Sequence, residues 1–415
     1  TLAAAGAVEA VIAAICLDNQ ILPGNTGCRV PDKALGLEPI LEPKPQSLKT
    51  VLSNSFGFGG NNAALVIGNP GAKRRAATGA YSPRMRISGW SAITGAGDLE
   101  ATLGAVAESR PCPGRLDIKT ISRDLPPAQI RRLKRLPVMA LGLADRACVQ
   151  SGAGEKPGAI FFGTGLGCLS ETSDFLDRLF ATRERFASPT DFVGSVHNAA
   201  AGQIALHFEA TGPNITTSGG DYSFEQALLS ASLLNHTAST SLVMAADEGH
   251  DGLSALLDPS IDRKGPLADG GGALQLSELT GDSGPVIALR FFKSNLTDAG
   301  AQLANLVDTL DRPQPIQKRY ALVMAGMPAA IRSAAETQLT TFLGLAGFNG
   351  PVIDYRSLVG EFQSASAVAA AMAAELIHRG TLPADLCSGY SRRIGRKGIL
   401  ILGLGKWLTA MEVMP

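Results

Sequence analysis

The chain has 415 residues, enough for two domains or for one large two-part fold. Hydrophobic residues make up 45% and charged residues 18%, with 47 glycines, which is the profile of a compact α/β protein and excludes a disordered chain. Lys plus Arg and Asp plus Glu are both 37, so no global field draws the chain to nucleic acid or to a membrane, and neither is expected as a partner.

The opening run "TLAAAGAVEAVIAAICL" has the apolarity of a signal peptide but no basic leader, and it carries Glu9 in its middle, so it reads as a buried helix. A chain that starts inside such a helix is expected to continue upstream. "SNSFGFGGNNAALVIG", Ser53 to Gly68, reads as strand, Gly-rich loop, strand. Gly57, Gly59 and Gly60 give the loop positive-φ freedom, and Phe56 and Phe58 stand ready to plug or gate an apolar cavity beside it. Residues 69–84, rich in Pro, Gly, Ala and basic side chains without apolar periodicity, read as a linker.

From about Met85 strands and helices alternate. "MRISGWSAI" and "GAIFFGTGLG" are strands, and "PAQIRRLKRLPVMALGLADRACVQSG" is helical over much of its length. After the helix "NAAAGQIALHFEA" come an extended "NITTSGG", a helix from about Ser223 and the strand "SLVMAADEG". "GGALQLSEL" closes a first half, 85–284. The pattern restarts in 285–415 with "VIALRFF", "ALVMAG" and the long helical "EFQSASAVAAAMAAELIHRG", so a layered α/β fold is expected.

The chain also repeats itself. "AAAGAVEAVIAAICLDNQILPG" (Ala3 to Gly24) lies over "QSASAVAAAMAAELIHRGTLPA" (Gln363 to Ala384), and "SNSFGFGGNNAAL" (Ser53 to Leu65) lies over "ILILGLGKWLTAM" (Ile399 to Met411). Two matches in the same order point to a tandem fusion of related proteins, the first represented by its tail.

These segments resemble the β-ketoacyl-acyl-carrier-protein synthases. "TLAAAGAVEA" and "SNSFGFGGNNAALV" resemble that family's C-terminal helix and last strands, while "SVHNAAAGQIALHFEATGPNITTS" (Ser195 to Ser218) resembles the approach to its nucleophile. The resemblance implies a thiolase-like α/β/α/β/α fold, complete for 85–415 and a fragment for 1–68. It implies that Phe58, with Gly59 and Gly60, gates an acyl channel. The nucleophilic cysteine of the family is matched by Asp221, the lysine of its K-S-x-x-G-H stretch by Arg356, and the second histidine by Glu361; "VMAGMPAAI", opposite the first histidine, contains none. A carboxylate suits a helix N-terminus but attacks a thioester poorly. Ser223 and Gln226 fit an S-x-x-Q capping box just after it.

A synthase-like unit without the Cys-His-His set resembles the chain-length-factor partners of heterodimeric ketosynthases. The expectation is therefore a degenerate partner of an active ketosynthase subunit, forming a homo- or heterodimer in the cytoplasm. No bound cofactor is expected; phosphopantetheine arrives on the partner acyl carrier protein. An active 3-oxoacyl synthase or malonyl decarboxylase using Asp221 and Glu361 is the alternative, and a carrier-protein scaffold a third.

Rival signals have plainer readings. The six cysteines form no C-x-x-C pair, and "DEGHD" (Asp247 to Asp251) reads as an acidic loop, since no H-x-x-x-H spacing accompanies it. Cys168 reads as a small buried residue. "RRLKR" (Arg131 to Arg135) and "SRRIGRK" (Ser391 to Lys397) read as solvated faces, with carrier-protein docking the sharper alternative.

Overall fold

A computed structural model describes residues 4–36, 38–57, 62–68, 84–152, 156–234, 240–258, 267–279, 284–294, 298–387 and 392–415. The chain divides into two compact units, Thr1–Tyr81 and Ser82–Pro415.

Unit 1 consists of α1 (Ala5–Asn19), β1 (Ile21–Leu22), β2 (Lys44–Pro45), β3 (Thr50–Phe56) and β4 (Asn62–Gly68). The helix ends where Gln20 turns left-handed (φ 54°), and its side chain holds the next loop: Oε1 accepts from the Leu48 N–H at 2.8 Å and Nε2 donates to the Leu17 carbonyl at 2.6 Å. β1 pairs with β2, and β3 with β4, both antiparallel; α1 lies on the β3–β4 hairpin.

Unit 2 opens with β5 (Arg84–Thr94), β6 (Gly97–Asp98), α2 (Leu99–Ala107), α3 (Ile118–Ser122), α4 (Pro127–Ile130) and α5 (Arg135–Gln150). β7 (Ala159–Gly163), α6 (Leu169–Ala181), α7 (Pro189–Ser195), α8 (Ala199–Phe208) and β8 (Asn214–Thr217) follow. α9 (Ser223–Leu234), β9 (Thr240–Asp247), α10 (Ser254–Leu257) and β10 (Gly270–Ser277) complete a first half. The second half runs through β11 (Val286–Lys293), α11 (Gly300–Leu310), α12 (Ile316–Arg319), β12 (Tyr320–Gly326) and α13 (Arg332–Ala346). It ends with β13 (Val352–Asp354), α14 (Tyr355–Val359), α15 (Ala365–Arg379), β14 (Thr381–Leu382), β15 (Arg392–Arg393), β16 (Gly398–Gly403) and β17 (Trp407–Met414).

The two halves share one topology. The first orders its strands β8-β7-β9-β10-β5 and the second β13-β12-β16-β17-β11. In each the first three positions are parallel and the last two join antiparallel. β5 and β11 pair antiparallel (Met85 opposite Ile287), fusing both into one hydrogen-bonded sheet path.

Strand alternation then builds the layers. Ile160 and Phe162 of β7 face an outer core with α5 and α8, whereas Ala159 and Phe161 face the central core with α9 and α15. In β16 Leu400 and Leu402 face outward to α11 and α13, and Ile399 and Ile401 face the centre. The result is the expected thiolase-like layering, with α9 and α15 between the two halves of the sheet. Strands buried on both faces read as unbroken apolar runs, which is why "SLVMAAD" has no polar alternation.

Close approach demands glycine in this middle layer. A Cβ on Gly272 of β10 would sit 2.3 Å from the Ala367 carbonyl oxygen of α15.

Unit 1 repeats the end of unit 2 element by element. α1 corresponds to α15, left-handed Gln20 to left-handed Gly380, the β1–β2 pair to the β14–β15 pair, and the β3–β4 hairpin to β16–β17.

Two glycines give opposite outcomes in denaturant titration. Gly272→Val is expected to lower the stability of unit 2 by ~3 kcal/mol or more, because backbone cannot yield. Gly104→Ala, in the exposed middle of α2 with nothing within 4 Å of the new methyl, is expected to raise it by ~0.5–1 kcal/mol.

Candidate functional site

The site forms where the two edge strands of the sheet path, β8 and β13, end. After β8 the chain turns at Gly220 (φ 60°) into a 3-10 turn, Gly220–Tyr222, that runs directly into α9. Ser223 is therefore already helical (φ −59°, ψ −40°), and it is not the N-cap of a capping box. Its hydroxyl accepts from the Gly219 N–H at 3.0 Å and reaches the Gly220 carbonyl at 2.7 Å and the Thr164 carbonyl at 3.1 Å. The turn leaves Asp221 about one-third exposed, with its carboxylate toward the second half.

After β13, Asp354 caps α14 by accepting from the Arg356 and Ser357 N–H groups, which orients Arg356 into the protein. Its guanidinium, 3% exposed, meets both carboxylates. Nη2 lies 2.8 Å from Asp221 Oδ1 and 2.5 Å from Glu361 Oε1, and Nε donates to the same Glu361 oxygen at 3.1 Å. Three residues that the sequence spreads over 221–361 thus form a single ion-pair cluster. Burial works against the charge on Arg356, but Asp221 and Glu361 outweigh it, and its pKa lies above the ordinary arginine value. Among the described residues no cysteine or histidine is a hydrogen-bond or ion-pair partner of the three.

Sequence reasoning missed the residues beneath this cluster. Tyr222 accepts from the Trp407 N–H at 3.2 Å and lies 3.0 Å from the Trp407 carbonyl, fastening the turn to the glycine loop after β16. Gly405 in that loop (φ 141°) has no room for a side chain, since a Cβ would lie 2.6 Å from the Tyr222 oxygen. Glu225, one helical turn beyond Asp221, is fully buried and accepts from Ser366 at 2.9 Å and Thr409 at 3.4 Å. Burial pushes its carboxyl up to about 7 despite those hydrogen bonds, and Asp221 adds to the rise. The available signal was a glutamate as the one charged residue of the "FEQALLSASLL" helix.

Other candidates are placed differently. Phe58, Gly59 and Gly60 lie outside the described residues. Asp247 and Glu248 do not form a solvated acidic loop; both are buried and act as clamps. Asp247 accepts from Thr164 Oγ1 (2.9 Å), Gly165 N–H (2.8 Å) and Ser364 N–H (2.7 Å), and Glu248 takes the N–H and hydroxyl of Ser170. Cys168 is buried, and burial with the charges of Glu171 and Glu248 holds its thiol well above the ordinary range, so it is no nucleophile. "RRLKR" is not one basic face: Arg135 is bound to the buried Asp269 and Lys134 to Asp174, leaving Arg131 and Arg132 exposed. Among the described residues no group of three or more His, Cys, Asp or Glu is arranged to hold a metal, and no helix is long and apolar enough to cross a membrane.

Comparison with known proteins identifies this architecture. Residues 111–261 match the family "Beta-ketoacyl synthase, N-terminal domain". A stretch of 67 residues is 39% identical to 3-oxoacyl-[acyl-carrier-protein] synthase 2 of Vibrio cholerae, covering 16% of each chain, so the match spans about a sixth of that relative. Two solved structures share the fold. "The ishigamide ketosynthase/chain length factor" matches with TM-score 0.62 at 19% identity over 79% of this chain and 98% of its own. "PfaC Keto synthase-Chain length factor" matches with TM-score 0.70 at 15% identity over 98% of this chain and 52% of its own. The fold is that of the thiolase-like ketosynthases. Residues 111–261 carry that family's N-terminal domain, and the fold of the larger unit is the one these neighbours share.

The cluster has measurable consequences. Arg356→Met, which strands two carboxylates, is expected to cost ~3–5 kcal/mol in chemical denaturation, and the triple change Asp221→Asn, Arg356→Met, Glu361→Gln to recover much of that. Glu225 titrates near 4.5 unfolded and near 7 folded, so the folded state holds the extra proton and stability falls as pH rises between those values. Glu225→Gln is expected to abolish that fall, its advantage over the parent growing between pH 5 and pH 8 by on the order of 1–3 kcal/mol in pH-resolved melts.

Proposed function

We propose that unit 2 is a catalytically degenerate, chain-length-factor-like partner of an active ketosynthase in fatty acid or polyketide synthesis. Residues 85–284 and 285–415 are its two ketosynthase-like halves, and Thr1–Gly68 is the C-terminal fragment of a β-ketoacyl synthase, joined through 69–84. The active partner condenses acyl and malonyl units delivered on the phosphopantetheine arm of an acyl carrier protein, and this unit contributes tunnel wall and dimer interface.

One observation carries the reading: Asp221, Arg356 and Glu361, which the resemblance sets opposite the family's nucleophile, lysine and second histidine, are ion-paired to one another. Decarboxylative condensation needs a thiolate to accept the acyl group and neutral imidazoles to stabilise the enolate that forms when malonate loses CO2. A carboxylate paired with a buried guanidinium is a weak nucleophile, and its attack on a thioester would yield an anhydride that water destroys. Glu361, bound to the same guanidinium, offers no N–H to an enolate oxygen. Two fold neighbours, the ishigamide ketosynthase/chain length factor and the PfaC keto synthase-chain length factor, support the same assignment.

Intact-protein mass spectrometry after exposure to acyl- and malonyl-carrier protein, with and without an active synthase, tests this. No adduct is expected within 85–415, and an acyl adduct there overturns the reading. Asp221→Asn and Glu361→Gln are expected to alter product length in the paired system. Loss of malonyl decarboxylation instead supports an enzyme acting through Asp221, and no change in either readout supports a scaffold.

A further inference from the structure

The outer face of the sheet carries charge where β5, β11 and β17 run side by side. Along β11, Ile287 and Leu289 belong to the central core, so Val286, Ala288 and Arg290 face the other way. By the same alternation Met411 and Val413 put Glu412 and Met414 of β17 on that outer face, and Met85 and Ile87 put Arg84 of β5 there. The register sets Arg84 and Glu412 on either side of Ala288 in one row. Arg319, at the end of α12, reaches the same place and pairs with Glu412.

Charge in this corner does not balance. The buried Glu412 accepts from Tyr320 Oη at 2.6 Å and from Arg319, whose other arm donates to the Leu310 and Arg312 carbonyls. Arg290 stands farther off: its Nε lies 3.6 Å from the second Glu412 oxygen and, although that nitrogen is buried, makes no hydrogen bond. Arg84 is exposed, and among the described residues no carboxylate lies within ion-pair distance of it. Three guanidiniums therefore accompany one carboxylate that is already engaged. A cavity of about 160 Å³ opens between them, lined by Arg84, Arg319 and Glu412 and by apolar side chains that include Val286, Ala288 and Met414. Asp221, Arg356 and Glu361 are not among its walls, so it is a different place from the ion-pair site.

We propose that this cavity is a binding site for a small carboxylate with a short apolar body, the carboxylate on Arg84 and the apolar part against Val286, Ala288 and Met414. The sign of the ligand follows from the charge excess: Glu412 is taken up by Arg319 and Tyr320, and a cation would meet guanidiniums on every side. The head group follows from the donors. A guanidinium without a protein partner offers two parallel N–H groups that match one carboxylate, whereas a phosphate would bring oxygens for which the apolar walls have no donor. The body follows from those walls, which release water when a short aliphatic chain covers them. Arg290 and Arg319 keep the field positive without giving up their own places, and the buried Nε of Arg290 is a donor with no acceptor yet. The site is independent of the proposed tunnel role.

The test titrates the full chain with butyrate at low salt, by calorimetry and by saturation-transfer NMR of the ligand, with 1-butanol and inorganic phosphate as controls. Butyrate is expected to bind saturably with a dissociation constant on the order of 1 mM, as befits so small a ligand. Both controls are expected to bind about 10-fold more weakly or not at all. Arg84→Gln, at an exposed position, is expected to weaken butyrate about 10-fold or more while leaving the thermal transition of unit 2 unchanged. Ala288→Leu, which fills the cavity from its floor, is expected to abolish binding, and the melt of that variant shows whether it has folded. Equal binding of butyrate and 1-butanol overturns the proposal, as does phosphate binding as tightly as butyrate. Butyrate binding that Arg84→Gln leaves intact places the anion elsewhere and overturns it too, and so does the absence of saturable binding.

Discussion

Everything in unit 2 depends on a helix thin enough to be buried from all sides. α15 lies between the two halves of a folded sheet path, and the run "ASAVAAAMAA" lets it do so: alanine presents one methyl per position and loses almost no side-chain entropy on burial. The partner surface is matched to it, with glycine in β10 where α15 backbone comes closest. A longer side chain on either partner would separate the layers, so the helix sets the spacing of the whole molecule. It also sets the site. Ser364, just before α15, gives its N–H to Asp247, which holds the glycine loop after β7; Ser366 in its first turn holds Glu225; and Glu361 immediately precedes it.

The charge cluster at that end is costly to bury. Taking a guanidinium and two carboxylates out of water is repaid only where geometry is good and the remaining donors and acceptors are satisfied. Asp221 and Glu361 keep part of their surface in solvent, which limits the cost, while Arg356 does not. The arrangement fixes the turn before α9, α14 and the segment before α15 relative to one another. It also leaves a carboxylate excess above the buried Glu225, whose own ionisation is resisted by burial first and by Asp221 as well. Such a site stabilises positive charge and disfavours a further anion.

The legibility of these features from sequence followed physical locality. Strands buried on both faces announce themselves as apolar runs, and the long alanine helix stands where periodicity puts it. The cluster was legible only through family resemblance, because no local pattern links Asp221 to residues in the other half. Errors fell where a local rule met a tertiary override. Ser223 has the right spacing to Gln226 for a cap, but a 3-10 turn enters the helix first and spends its hydroxyl on Gly219 and the carbonyls of Thr164 and Gly220. Asp247 and Glu248 read as part of an acidic loop, yet both are buried and take N–H groups brought from elsewhere in the chain. "RRLKR" divided because Arg135 found a carboxylate buried 134 residues away.

The duplicated topology explains why the cluster bridges the halves. β8 and β13 occupy the same place in the two strand orders, each at an edge and each parallel to its neighbour. In doubly built α/β sheets functional groups gather beyond the carboxyl ends of parallel strands. Asp221 follows β8 and Arg356 follows β13, so the two residues stand at corresponding points of the repeat and meet across its pseudo-twofold relation. Like charges at those points would push the halves apart there, and opposite charges draw them together. Asp221 and Arg356 thus act as a strut between the halves.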